Sequence, residues 1–413
     1  VPDVELRRIL QVVIARSLYT FGRAMLNATV LWELYARTHS KLVLSAVGFA
    51  QVVPVALLFV PAGTLVDRSD RRSLATIAAT VTGLIGIGLA VLSALNAPVW
   101  TYFAFLLAQG CATVIHAPAV ASLIPLIIAR DQLTRANRIS ASLQELATII
   151  GPALAGLALK FVTASWVYSA LAFTGIAAGA LYRALPSARA IDPIVPSARA
   201  VSGASERRDW RAGLRFIFRS PLLLPALTLD MFAVLFAGVT ALLPAVASDV
   251  LHVDALGYGM LRAAQSAGAV VMALIGGRLP AWKRPGRVLL IVVALFGAAT
   301  VGFGLSTSFP LSLALLVVCG ALDNISVVIR LTLEQMVVPD AIRGRVSAVH
   351  YVFIGMSNEL GAAESGLAAY ILGTVPSIVV GGAVAVLVVG AVAVRWRELA
   401  KMPPLAELQP AAE

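Results

Sequence analysis

Charged and amide side chains fall inside long apolar runs of this sequence, where an uncompensated charge is costly. Arg16, Arg23 and Asn27 are spaced i, i+7, i+11, which puts all three on one face of a helix. Asp323, Arg330 and Glu334 repeat that spacing later in the chain. Glu33, Glu145, Asp230, Arg262, Glu359, Glu364, His116 and His350 also lie within apolar runs. Burial disfavours the charged form of a carboxyl, so such a group can load and release a proton near neutral pH. A neighbouring arginine opposes that shift, and an arriving substrate can displace the arginine. Asp230, Asp323 and Glu359 are therefore the expected sites for coupling a proton to a small molecule. Arg330 and Glu334, four residues apart, read as a structural ion pair on one helix. Glu359 and Glu364 are five apart, about 140° around a helix, so only one can point squarely into a cavity.

The elements that position these groups must be membrane-spanning helices. Of 413 residues, 59% are hydrophobic and 13% charged, against about 25% charged in soluble domains. Mean hydropathy is +0.90. One core cannot hide that surplus, and a bilayer span needs roughly 20 apolar residues. Apolar runs at 9–35, 42–66, 73–95, 98–128, 132–159 and 162–183, then 220–248, 255–279, 287–307, 309–337, 345–372 and 374–395, predict twelve spans. The expected fold class is an all-α membrane protein with two pseudo-symmetric six-helix bundles. The expected organisation is a bundle at 1–183, a cytoplasmic linker with an amphipathic helix at 184–219, a bundle at 220–396 and a cytoplasmic tail at 397–413.

Orientation follows from the basic residues, most of which fall in alternate loops, in the 184–219 linker and at the two termini. The positive-inside rule then places both termini in the cytoplasm. The net charge of +11 is in this reading a topology signal, and no nucleic-acid partner is expected. Within the linker, Trp210, Leu214 and Ile217 share one helical face, with Arg211, Arg215 and Arg219 on the other. That pattern suits a helix lying on anionic inner-leaflet lipids; a plain lead-in to the seventh span fits equally.

The halves look related. GPALAG at 151–156 and GAAESG at 361–366 stand in the fifth span of each half, and Gly110 and Gly320 in the two fourth spans. Parallel six-helix repeats are a known transporter plan. Spans 3, 6, 9 and 12 carry no ionisable residue in their cores, which assigns them to the lipid-facing periphery around a polar cavity. Aligning Asn27-Ala28-Thr29 with Gly238-Val239-Thr240 sets Asp230 between the levels of Arg16 and Arg23. A charge-compensated pair across the halves is one reading, and neutralisation within each half the other.

The loop after the second span, GTLVDRSDRR, resembles the signature of the major facilitator superfamily through Gly63, Leu65, Asp67, Arg68, Arg71 and Arg72. Asp70 replaces the usual glycine, and in the counterpart at 276–287 Ala281 stands about where the aspartate belongs. The resemblance implies that this loop latches a cytoplasmic gate, its aspartate meeting the start of the eleventh span. GPALAG, with Gly151, Pro152 and Gly156, resembles the family's antiporter motif and implies export; close packing of small residues is the plainer account. Leu106 stands where a proton-linked arginine would be. DNISVVIRLTLEQ at 323–335, PDAIRGRVSAV at 339–349, SNELGAAESG at 357–366 and LRAAQSAG at 261–268 look like the branch of enterobactin exporters and macrolide-efflux proteins.

The expected function is secondary active export of a siderophore or drug-like molecule across a bacterial-type inner membrane by alternating access, in exchange for protons. Uptake or lipid translocation on the same fold is the alternative within transport, and a transport-inactive receptor or scaffold the alternative outside it. None of the lysines follows glycine, so no phosphate-binding GxxxxGK loop and no ATPase domain is present. No HExxH or Cys/His cluster occurs, and no enzyme activity, cofactor or metal is expected.

Overall fold

The computed structural model describes residues 2–128, 132–186, 210–276, 278 and 282–408. Most of the predicted linker, 187–209, thus lies outside the described residues. The helices are α1 (Pro2–Thr38), α2 (Lys41–Arg68), α3 (Arg71–Ala94), α4 (Trp100–Ile127), α5 (Leu133–Phe161) and α6 (Ala164–Arg183). There follow α7 (Trp210–Arg219), α8 (Leu223–Ala237), α9 (Ala255–Gly276), α10 (Pro285–Leu305) and α11 (Phe309–Val337). The series ends with α12 (Asp340–Leu372), α13 (Thr374–Arg395) and the short α14 (Arg397–Ala400). No strand occurs among the described residues.

Ten of the helices are long and apolar enough to cross a membrane, one of them α8 extended to Val250. Two more, α1 with 37 residues and α12 with 33, have the length but carry the densest charge. Among the described residues, twelve long helical segments therefore stand where twelve spans were expected. Prolines inside α2, α4 and α5 do not end those helices. Neighbouring helices in a bundle can satisfy the carbonyls that proline frees. Between α12 and α13 the chain turns at Gly373, whose φ of +94° an L side chain adopts only under strain.

The chain forms two compact units. The first comprises Val1–Thr38, Ala50–Ser205 and Val253–Ala263; the second comprises His39–Phe49, Glu206–His252 and Ala264–Glu413. In the first, α3 and α6 meet through glycines: a Cβ on Gly175 would lie 2.5 Å from the Gly83 nitrogen, and one on Gly86 2.8 Å from the Ala172 nitrogen. In the second, α10 and α13 repeat the device: a Cβ on Gly297 would lie 2.8 Å from the Gly382 carbonyl oxygen, and one on Gly382 2.7 Å from that of Gly297. Small residues let backbones approach where lipid supplies no hydrophobic drive for helix association. These are four helices without ionisable cores, and Ile77, Leu84, Phe173, Ile291 and Leu387 stand exposed on them.

Candidate functional site

The buried charges of the second unit converge on α11. Asp230 on α8, 8% exposed, forms an ion pair with Arg330, 3% exposed. This corrects the expected Arg330–Glu334 pair. Glu334 instead takes Ser347 and His350 of α12, one on each carboxylate oxygen. The helix spacing allowed an i, i+4 contact, but two donors from α12 occupy Glu334 and the carboxylate of α8 faces Arg330. Asp230 is therefore compensated within its own unit.

Seven residues of α11 before Arg330, Asp323 borders a small pocket with Asp230, Ser326, Val293, Phe296 and Leu322. The space suits about one water molecule. Asp323 has no hydrogen bond or ion pair among the described residues. Two carboxyl groups thus share one pocket, one neutralised by an arginine and the other not. Glu359 and Glu364, both half-buried, lie further along α12.

In the first unit Arg16, Arg23 and Asn27 are half-buried on α1. Arg16 reaches the Ser140 hydroxyl of α5 at 3.5 Å. Arg23 has no carboxylate partner among the described residues, and the Asn27 Oδ1 is buried without a hydrogen bond. Between the two arginines, Tyr19 stacks on the buried His116 of α4 at 3.6 Å between ring centroids. Tyr182 of α6 closes the other edge of that imidazole at 5.6 Å. His116 is held as a packed core residue. Glu145, expected among the cavity residues, is exposed on α5.

The loop between α2 and α3 is built around a residue that departs from the signature. Asp70 caps α3, accepting from the Ser73 amide at 3.1 Å and the Ser73 hydroxyl at 2.6 Å. Partial burial pushes its carboxyl up, but those two bonds, with the amide and charge of Arg72, outweigh it and hold the group below the usual carboxylate range. Arg72 donates to the Leu185 carbonyl at 2.6 Å, and Arg68 is exposed. The Arg71 Nε is buried without a partner. The Asp67 side chain lies outside the described residues. A Cβ on Gly63 would meet nothing within 4 Å.

Gly151, Pro152 and Gly156 are buried on α5. A Cβ on Gly151 would lie 3.0 Å from that of Ala24 on α1, and one on Gly156 would lie 2.5 Å from the Gly259 Cα on α9. The crossing is flanked by Lys160 and Asp254 at 3.4 Å. The Gly257 amide holds the Asp254 carboxyl below the usual range; burial opposes it, and the hydrogen bond and charge of Lys160 add to the lowering.

Two features escaped sequence reasoning. Glu33, read only as one ionisable group among several, accepts from Tyr168 at 2.8 Å, Ser93 at 2.8 Å and Tyr102 at 3.0 Å, joining α1 to α6, α3 and α4. Arg37, four residues on, pairs with it at 3.7 Å, but the three hydroxyls lie far from Glu33 in sequence and leave no local signal. The second is the break at the end of α8. Gly238 is extended, a 3-10 turn follows at Thr240–Leu242, and a π turn spans Val246–Val250. Pro244 and Gly238 were visible signals for it. Ser365 of α12 donates to the Gly238 carbonyl at 3.0 Å, satisfying a group the break exposes.

Comparison with known proteins gives concordant results. The sequence pattern of the Major Facilitator Superfamily matches residues 12–362. The enterobactin exporter EntS of Citrobacter koseri is 27% identical over 360 residues, 86% of this chain and 83% of the relative. The protein of the same name from Escherichia coli O1:K1 / APEC is 27% identical over 361 residues, with the same coverage. Among solved structures, the fold resembles a bacterial homolog of the human lysosomal transporter Spinster, with a TM-score of 0.71 at 14% identity over 95% of this chain and 96% of that one. It also resembles the xylose transporter XylE from E. coli, with a TM-score of 0.67 at 14% identity over 93% and 94% of the two chains.

Proposed function

Because this chain belongs to the Major Facilitator Superfamily, a family of multi-pass membrane transporters for small molecules, we propose that it is a secondary active exporter of a siderophore or similar organic molecule. It works by alternating access in exchange for protons, in a bacterial inner membrane with both termini cytoplasmic. Residues 1–183 and 220–396 are its two six-helix repeats. Export of a siderophore is favoured by the relatives named enterobactin exporters, and a drug-like substrate is the second choice. The observation that carries proton coupling is the pocket that Asp323 shares with the Asp230–Arg330 pair.

In this reading Asp323 holds the transported proton, since an uncompensated charge there is expensive in low dielectric. Arg330 is the switch: while it neutralises Asp230, the region as a whole carries little net charge. A change in that pairing alters the field at Asp323 and with it the proton's affinity. Arg16, Arg23, Asn27 and Glu145 in the first unit, and Glu359 and Glu364 in the second, are the further residues this reading assigns to substrate and protons. The 63–72 loop latches the inner side, and the close α5 packing at Gly151 and Gly156 keeps the export geometry.

The experiment is a comparison of small molecules in medium and cells, gene present or deleted, under iron limitation. An iron-chelating metabolite should disappear from the medium and accumulate inside on deletion. Matching profiles would remove the siderophore as substrate and move drug efflux or uptake ahead.

A further inference from the structure

The amphipathic helix α7 does not offer its apolar side to lipid. Ile217 is 2% exposed and packs in one cluster with Val346 and Val349 of α12. Gly213 is buried at the same contact, where a Cβ would lie 2.8 Å from both the carbonyl carbon and oxygen of Arg345. The side chains of Trp210 and Arg211, which complete the expected pattern, lie outside the described residues. What α7 turns outward is Arg215, Phe218 at 58% and Arg219. Neither arginine has a hydrogen bond or carboxylate partner among the described residues.

Position supplies the partner. Arg219 is four residues and Arg215 eight residues before Leu223, where α8 begins its span, so the two arginines precede the point at which the chain enters hydrocarbon by about one and two helical turns of sequence. The inner leaflet carries the negative surface potential that attracts such residues, and an aromatic ring beside them suits headgroup depth. Since the apolar face is already taken by α12, anything that moves α7 acts on the first turns of α12. Those turns carry Ser347 and His350, which hold Glu334 of α11.

We propose that Arg215, Phe218 and Arg219 form a docking surface for anionic lipid headgroups, and that α7 transmits their binding to α12 through Gly213 and Ile217. The effect on transport rests on the exporter reading above; binding and transmission do not. The test places the full chain in nanodiscs of phosphatidylcholine alone or of equal parts phosphatidylcholine and phosphatidylglycerol, and follows amide hydrogen exchange without substrate.

Phosphatidylglycerol should slow exchange several-fold in both 210–219 and 340–350, and raised salt should cancel the effect. The double variant Arg215→Gln/Arg219→Gln should exchange in the mixed lipid as the native chain does in phosphatidylcholine, while Arg215→Lys/Arg219→Lys keeps the response. Gly213→Ala, which pushes α7 off the Arg345 backbone, should keep the lipid response in 210–219 and lose it in 340–350. No difference between lipids, or a glutamine variant that still responds, overturns the docking surface. Glycerol phosphate in solution reproducing the protection overturns lipid as its source, and an unaltered α12 response in Gly213→Ala overturns the transmission. A lipid response in a chain that transports nothing would sink the exporter reading alone.

Discussion

Arg330 of α11 makes its ion pair with Asp230 of α8, although Glu334 stands one turn away on its own helix. The pairing is a tertiary choice. Each oxygen of Glu334 is met by a donor from α12, and the carboxylate left for Arg330 comes from α8. The result ties α8, α11 and α12 through a buried ion pair and two hydrogen bonds in place of one local pair.

Removing one partner of this pair leaves the other charge buried, which costs about 3–5 kcal/mol. Asp230→Asn and Arg330→Gln should each lower the thermal midpoint in nanodiscs sharply, and the double variant should recover most of the loss. Thermal melts of the three variants check this. Single variants as stable as the native chain would mean that the two charges are not energetically linked.

Asp323 tests proton coupling separately from folding. It makes no ionic contact among the described residues, so Asp323→Asn removes no partner among them and should fold with near-native stability. Concentrative export in proteoliposomes driven by a pH step should fall at least about tenfold, while exchange of labelled for unlabelled substrate continues; a tenfold change corresponds to about 1.4 kcal/mol. Unimpaired uphill transport in this variant would remove Asp323 from the proton path.

Two glycines of the family motifs should respond in opposite ways. A Cβ on Gly156 meets the Gly259 backbone at 2.5 Å, so Gly156→Ala should destabilise by a few kcal/mol, about 1–3 for overpacking, and Gly156→Leu by more. Gly63 has open space around it, and Gly63→Ala should be neutral or stabilise α2 by up to about 1 kcal/mol. Thermal melts separate the two. If Gly63→Ala melts normally and still loses transport, the glycine serves a conformation other than this one.

Asp70→Ala should cost about 1 kcal/mol through the lost cap of α3, with Asp70→Asn much milder. The sign with pH follows from the folded carboxyl lying below its usual value. The contribution is complete above the unfolded carboxylate pKa of about 3.9 and is lost as pH falls through the lower folded value. Native and Asp70→Ala chains should therefore differ in melting temperature at neutral pH and converge in strong acid. A difference that persists unchanged there would assign the effect to something other than the ionised cap.

Spans were legible in the sequence because a bilayer imposes length and apolarity locally: 309–337 and 374–395 coincide with α11 and α13. Departures came at the charged ends. The first and eleventh spans begin earlier than their apolar runs, at Pro2 and Asp340, because the helices continue into charged segments that hydropathy excludes. The 151–156 glycines were legible as a packing motif, since small residues at helical spacing have few other uses in lipid.

By itself, the sequence determined that this is a helical membrane protein, where its spans lie and which residues carry charge within them, with transport implied only by the resemblance of its motifs. Those properties follow from composition and from periodicity within single helices. Only the tertiary structure decided partners: Arg330 with Asp230, Glu334 with His350, Glu33 with three hydroxyls, and the Gly213 and Ile217 face of α7 with α12. A helix sets which side chains share a face, but the geometry of a neighbouring helix, far away in the chain, sets which of them is met.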